Sequence, residues 1–343
     1  MFSSLVKNWD SYLLSFPEEF YDTYFEEKYV KLYESEEQEA VCYVYSENGK
    51  ILLFPFLKGT ILHNGISYFD FETPYGYGGP ICNVRNEEFV ARSLDSFHTY
   101  CLTNNFVAGF VRFHPLLNNY KGFSSIGQLL FDRHTIAIDL SLTTDEIWIH
   151  EFDTKSRNRV NKANNIKLEF IVDKEYRYLD EFVRIYDSTM QKVGADSFFY
   201  FSNDYYTSFR DSISNSFLGL VALNGIIISA GIFFYSKDYG HYHLSGSDKN
   251  YLCLNPNDFM IFESLKVMKS LGIKDYHLGG GYNSEEQNSL YQFKKKFSKR
   301  TFDFYIGKLI FNKEVYASLC DEWSDNNPEK RDIYKNHLLK YRL

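Results

Sequence analysis

Short apolar runs that alternate or stay unbroken for six or seven residues recur along this chain, more often than helical stripes do. At 40–46 (AVCYVYS) and 51–57 (ILLFPFL), β-branched and aromatic residues flank Glu47-Asn48-Gly49-Lys50, which predicts two strands joined by a hairpin. Residues 5–38 are acidic and irregular, and read as helix over a polar surface. A Gly/Tyr/Pro loop at 72–80 precedes a helix from 87 to 104 and strands at 106–113 and 129–140. Thr143-Thr144-Asp145-Glu146 has the form of an N-cap and opens one helix running to Asn165. The same order then returns. A strand at 166–172 and helices at 178–193 and 203–213 lead to strands at 217–223, 226–235 and 239–245. A helix from Asn257 to Ser270, stopped by Gly272, is followed by a strand at 273–278, a helix at 285–297, a strand at 301–311 and a polar helical tail. This order predicts an α/β fold with mixed sheets (α+β in its pairing) in two lobes, 1–145 and 146–311, with the tail 312–343 packing back on the first.

One stretch has the length of a membrane span: 217–235 (FLGLVALNGIIISAGIFFY) carries no charge. Its centre is Asn224-Gly225, the strongest two-residue hairpin signal, so the expectation is two buried strands and no transmembrane segment. The first residues, broken by Lys7 and Asp10, do not read as a signal peptide, and five scattered cysteines without a CxxC pair suit reduced thiols. The expected location is the cytoplasm, with peripheral contact at the inner membrane as the closest approach to lipid.

Composition adds two constraints. Of 343 residues, 29 are Tyr, 32 Phe and 3 Trp, which points to a sheet-rich core and leaves rings over for ligand surfaces. The formal charge of −8 argues against DNA binding, although bases gather at 290–313 and leave room for a local anionic ligand.

Five segments carry candidate chemistry. Phe71-Glu72-Thr73-Pro74-Tyr75-Gly76-Tyr77-Gly78-Gly79-Pro80 is a tight loop: either its backbone at Gly78 approaches a ligand beneath the faces of Tyr75 and Tyr77, or the tyrosines simply pack on the sheet. In Val111-Arg112-Phe113-His114-Pro115, strand alternation puts Arg112 and His114 on one face about 7 Å apart, a cation beside a titratable imidazole or a surface Arg beside a capped His. His241 and His243 share a strand face, but no third ligand of suitable spacing lies nearby, so no metal is expected. The small-residue strand end there, Ser245-Gly246-Ser247, lies where α/β folds place ligands. In Leu278-Gly279-Gly280-Gly281-Tyr282 and Ser289-Leu290-Tyr291-Gln292-Phe293-Lys294, Lys294 sits beside the apolar stripe of Leu290, Phe293 and Phe297, facing a cleft or forming part of a solvated basic helix. Lys155-Ser156-Arg157-Asn158-Arg159 begins a basic helix that holds phosphate or faces solvent. Five rings beside glycines or on candidate cleft walls, Tyr75, Tyr77, Tyr242, Tyr282 and Tyr291, are expected to meet a ligand.

In their order, FETPYGYGGP, VRFHPLLNN, KSRNRVNKA, HYHLSGS, NPNDFMIFESLKVMKSLGIKDYHLGGG and SLYQFKKKF resemble the FemAB-like acyltransferases over roughly 70–300. The resemblance implies two lobes related to the GNAT acetyltransferase fold, packed side by side, and transfer of an acyl or aminoacyl group to an amine of a cell-envelope glycan or peptidoglycan precursor. His114-Pro115 stands where transfer-RNA-using members carry Asp-Pro, and the Gln/Arg-x-x-Gly-x-Gly/Ala loop of ordinary GNAT enzymes is missing. The donor is thus open between acyl-CoA and aminoacyl-tRNA, and no tightly bound cofactor is expected. The acceptor is a small molecule or a nucleotide- or lipid-linked glycan, and charged tRNA is a partner only in the aminoacyl case. On this basis Lys294 stabilises an oxyanion or phosphate and His114 acts as base or orienter. Tyr75, Tyr77, Gly78, Arg112, Arg159, Ser245, Gly280, Tyr282 and Tyr291 bind substrate. The alternatives are an acyl-CoA-dependent N-acetyltransferase acting on an amino sugar of a surface polysaccharide, and a non-catalytic glycan-binding protein of the same fold.

Overall fold

The computed structural model describes residues 2–285 and 287–343. By contact the chain divides into two units. The first comprises 1–20, 24–132 and 303–343, and the second comprises 21–23 and 133–302.

In the first unit, β1 (Phe2–Val6), β2 (Gln38–Glu47), β3 (Lys50–His63) and β4 (Ile66–Glu72) form an antiparallel meander, and the short β5 (Ile81–Cys82) pairs with β3. After the helix Glu87–Thr103, β6 (Phe106–Arg112) returns parallel to β4. Its other edge pairs with the late strand β13 (Thr301–Ile310) through Ala108–Arg112. Much of the aromatic content is spent here: Tyr43, Phe54, Phe56, Phe71, Phe97 and Phe106 pack as one core, with Phe56 and Phe71 ring centroids 4.6 Å apart.

The second unit repeats the plan. From β7 (Gln128–Asp139) the chain passes through the helix Thr154–Asn165 to β8 (Glu169–Asp173) and the helices Leu179–Val193 and Asn203–Ser212. An antiparallel run, β9 (Ser216–Leu223), β10 (Ile226–Ser236) and β11 (Tyr239–Ser247), leads into the helix Pro256–Ser270. That helix delivers β12 (Asp275–Gly280) parallel to β11. The lateral order is β7-β12-β11-β10-β9-β8. The charge-free stretch is therefore the β9–β10 hairpin, with Asn224 and Gly225 at φ 50° and 79° in the turn. Among the described residues no helix is long and apolar enough to cross a membrane.

Four local readings change. Phe2–Val6 is a strand that takes in the first two residues of the region 5–38 expected to be helical, and Ile66–Glu72 forms a further strand after an Asn64-Gly65 turn. A buried Asp70 in the middle of β4 hides its apolar alternation. The single helix expected from Thr143 to Asn165 is broken. Thr143 and Glu146 form the reciprocal capping box, a π-helical turn covers Ile147–Glu151, and Phe152 leaves helical geometry to bury its ring. Asp153 then caps a new helix through Ser156 N at 2.6 Å. Arg157 closes the break by donating from Nη1 to the carbonyls of Trp148, Ile149 and Phe152. The helix expected at 285–297 is observed as Ser289–Lys295, and Glu286 lies outside the described residues.

Candidate functional site

The second unit opens at the exit of its parallel pair. β11 and β12 are in register only at Tyr239–Asp275, Gly240–Tyr276 and His241–His277. Beyond that point each strand carries a bulge against its other neighbour. On β11 the register with β10 jumps at His243, and on β12 the register with β7 jumps at Leu278. A bulge bends its strand, and here both strands bend where they stop pairing with each other, so Tyr242–Ser247 and Leu278–Gly280 part.

Lys294 is placed at this parting by the helix Ser289–Lys295, whose first turn is capped by Asn288 Oδ1 accepting from Leu290 N and Tyr291 N. Its side chain is 7% exposed. Nζ donates to the Gly280 carbonyl at 2.8 Å and lies 6.0 Å from the centroid of the Tyr242 ring. Burial, with the like charge of Arg133 adding to it, pulls the Lys294 pKa down to about 7. Tyr242, pushed up to about 12 by burial, stays a neutral phenol and accepts from Ser245 Oγ at 2.5 Å. An amine that changes charge near neutrality, held by a neutral carbonyl in a strand parting, can stabilise developing negative charge or pass a proton. The structure thus brings together Lys294, Gly280, Ser245 and Tyr242.

Other expected residues lie around this group. Arg159 pairs with the buried Asp258 at 3.4 Å, in the first turn of the helix that follows β11, and burial raises the Asp258 pKa against the pull of Arg159. In the same turn Asn257 Oδ1 accepts from Ser247 Oγ at 2.5 Å and Ser229 Oγ at 2.9 Å, which ties the helix start to the strand ends. Tyr291 is 5% exposed, whereas Tyr282 is 60% exposed on the loop after β12. His241 and His243 both lie against Phe234, at 4.8 and 5.2 Å between ring centroids. His241 Nε2 is 2.8 Å from Asp22 Oδ2, and His243 Nε2 is 3.0 Å from the Tyr205 hydroxyl. Burial pushes the His243 pKa down to about 3, so its ring is neutral.

The first unit holds the remaining expected residues. His114 is fully buried among the rings of Tyr24, Phe25 and Tyr77, each 5.9 Å away between centroids. Its backbone N–H donates to Asn119 Oδ1, and Asn119 Nδ2 donates to the Gly78 carbonyl at 2.7 Å. Arg112 does not project alongside His114 on one strand face, because β6 ends at Arg112. The guanidinium turns to Glu72 at 3.2 Å and the Thr73 carbonyl at 2.5 Å, with its carbon 4.7 Å from the Phe110 centroid. The Tyr75 carbonyl accepts from the Tyr29 hydroxyl at 2.9 Å. Gly76, at φ 90°, leaves no space for a Cβ, which would stand 2.4 Å from Tyr24. The loop glycine there accommodates the protein's own tyrosine. Sequence reasoning picked Tyr242 as a candidate cleft wall but missed the acid partners of Arg112 and Arg159, and Arg133. Arg133 shows along the chain only as one charge on an alternating strand.

Residues 152–295 match the family model described as the acetyltransferase (GNAT) domain. No curated protein matches the sequence. Among solved structures the chain is similar to FemX, with TM-score 0.70 and 16% identity over 92% of this chain and 99% of that one. It is also similar to the C-terminal domain of a putative lysylphosphatidylglycerol synthetase from Agrobacterium fabrum, with TM-score 0.55 and 13% identity over 90% of this chain and 92% of that one. A tandem GNAT protein from the clavulanic acid biosynthesis pathway matches with TM-score 0.50 and 7% identity, over 91% of this chain and 99% of that one.

Proposed function

Starting from a GNAT-related acyltransferase with a FemAB-like fold, we propose that this protein transfers an acyl or aminoacyl group from an ester or thioester to an amine on a cell-envelope glycan or peptidoglycan precursor. The observation that carries the reading is Lys294, buried where β11 and β12 part and bonded to the Gly280 carbonyl.

In the reaction the neutral amine attacks the carbonyl carbon, the N–C bond forms, and the carbonyl oxygen becomes an oxyanion. The protonated Lys294 lies close to this charge and lowers its energy. Collapse breaks the C–O or C–S bond, the leaving group takes a proton from Lys294, and the amine nitrogen gives up its proton to a base. Ser245 and Tyr242 orient the reacting groups.

The aminoacyl donor is favoured by the helix start after β11. There the glycine-rich diphosphate loop is missing, the chain reading SGSDKNYLCLNPND. The name lysylphosphatidylglycerol synthetase, carried by one similar structure, describes an aminoacylated product and supports the same choice. The second reading, an acyl-CoA-dependent N-acetyltransferase acting on an amino sugar, is favoured by the acetyltransferase family model over 152–295.

The test is mass spectrometry of amino-sugar and peptidoglycan precursors incubated with the protein and either charged tRNA or acyl-CoA. A mass gain of one aminoacyl residue is expected. A gain with acyl-CoA alone selects the second reading, and no gain with either donor class removes the transferase proposal.

A further inference from the structure

The basic helix Thr154–Asn165 presents a surface that the chemistry at Lys294 leaves unused. Residues 154–167 hold Lys155, Arg157, Arg159, Lys162 and Lys167 and no acid, in a chain whose formal charge is −8. Lys155, Arg159 and Lys162 stand at i, i+4 and i+7 and so share one face of the helix. Lys155 and Lys162 are exposed, as are Asn158 and Asn165 beside them, while Val160 and Ala163 are buried on the side turned to the core. A second basic segment joins this face. Residues 287–302 hold five bases and no acid, and the Lys296 carbonyl accepts from Asp153 N at 2.8 Å, which ties the end of the Lys294 helix to the start of this one. Lys295 and Lys299 are exposed there. The nearby carboxylates turn to the protein's own groups: Asp153 accepts from Ser156 N at 2.6 Å, Glu151 from Lys299 N at 2.7 Å, and Asp258 from Arg159 at 3.4 Å. Among the described residues Lys155, Lys162, Lys295 and Lys299 form no ion pair.

We propose that this face is a docking surface for the phosphodiester backbone of an RNA, the donor whose aminoacyl ester is used at Lys294. Naming the RNA as donor rests on the aminoacyl-transfer reading; the existence of the docking surface does not. From Lys155 to Lys162 the helix runs about 10 Å, long enough to meet successive phosphates of one strand. The asparagines beside the lysines add amide donors suited to phosphate oxygens and ribose hydroxyls. An anionic bilayer fits this face less well. A helix lying in lipid needs apolar side chains beside its bases, and the exposed positions flanking these lysines are Asn158 and Asn165.

The surface is continuous with the site, because Lys295 directly follows the buried Lys294 in the chain. Backbone contacts fix register and orientation without reading sequence. The lysine face would therefore hold the strand in place, and selection of the aminoacyl group is left to the surroundings of Lys294.

The experiment measures binding of deacylated, fluorescein-labelled transfer RNA by fluorescence anisotropy over a series of potassium chloride concentrations. In Lys155→Gln/Lys162→Gln the Kd is expected to rise at least about tenfold at low salt, and the slope of log Kd against log salt to fall by about 2. Lys192→Gln/Lys313→Gln, at exposed lysines on other helices, should leave both unchanged. Circular dichroism checks that each variant is folded. If the double variant is not, Lys155→Gln and Lys162→Gln are read singly, each expected to lower the slope by about 1. The surface is overturned by a salt slope equal in the wild type and the double variant, or by an equal loss in the control. Displacement of the RNA by stoichiometric coenzyme A overturns the RNA assignment in favour of coenzyme phosphates. Binding to phosphatidylglycerol vesicles that needs both lysines, when RNA binding does not, overturns it in favour of a lipid surface. The readout needs no turnover. Lysine-dependent RNA binding by a protein that transfers nothing from charged tRNA would remove the aminoacyl reading and leave the surface standing. Transfer from charged tRNA with KM unchanged in the double variant would keep that reading and remove the surface.

Discussion

Both units build an antiparallel meander, a helix and a strand that returns parallel to the meander's last member, yet the parallel pair behaves oppositely in the two. In the first unit β4 and β6 stay joined to their ends and beyond. Thr73 N donates to the Phe110 carbonyl, Arg112 N donates to Thr73 Oγ1 at 2.8 Å, and Gly78 bridges Phe113. In the second unit β11 and β12 part after His277. The buried charges differ in the same sense. Asp70 on β4 is met by Arg342 through two bonds of 2.6 Å, a satisfied ion pair. Lys294 has a neutral carbonyl for a partner and feels a like charge from Arg133. A charge that is fully paired supports structure, whereas one held at a disadvantage is available for chemistry.

The sharpest break of this comparison is Lys294→Met. Removing a cation that acts on a developing oxyanion should lower kcat by about 100- to 1,000-fold with the fold intact, measured as initial rates beside circular dichroism. Unchanged kcat would place Lys294 with the structural charges. Arg342→Ala should act on the other side of the comparison. It strands the buried Asp70 carboxylate and should cost about 3–5 kcal/mol, read from urea unfolding. A loss below 1 kcal/mol, the range of surface pairs, would mean that the pair is no anchor.

The third test uses pH. The Lys294 pKa is lowered from 10.5 to about 7, so between these values the folded state holds fewer protons than the unfolded one. Its charged form is disfavoured by folding, and the full cost is present below about 7. Stability should therefore rise with pH across that window, by about 5 kcal/mol at most, relative to Lys294→Met. Parallel curves for the two proteins in urea unfolding from pH 6 to 10 would contradict the depressed pKa. The smallest effect is expected from Gly109→Ala on β6, where a Cβ would stand 2.2 Å from the Phe71 ring across the closed pair. Overpacking there should cost about 1–3 kcal/mol, seen as a lowered Tm. An unchanged Tm would show the closed pair to be looser than its spacing suggests.

The elements legible in the sequence were those specified locally. Asn48-Gly49 and Asn224-Gly225 announce hairpins because their positive φ suits the turn and their flanks are β-formers. Lys294, Gly280 and Ser245 were legible because each sits at the edge of a periodic run. The parting of β11 and β12 was not, since a bulge is a mismatch between two strands and leaves no mark on either one alone. Arg133 escaped for the same reason: the Gly281 carbonyl it holds is 148 residues away. Arg112 and Arg159 were legible as basic residues, but not as ion pairs, because Glu72 and Asp258 reach them only through the fold.

The division of the chain between the units has a consequence for how the protein is made. Nearly all of the second unit lies in the continuous stretch 133–302, so it can close while the ribosome is still adding residues. The first unit begins earlier but cannot finish: β6 waits for β13 at one edge, and Asp70 waits for Arg342. The half that carries Lys294 can thus be in place before the half that starts the chain has its last buried carboxylate neutralised, so synthesis order and folding order need not agree.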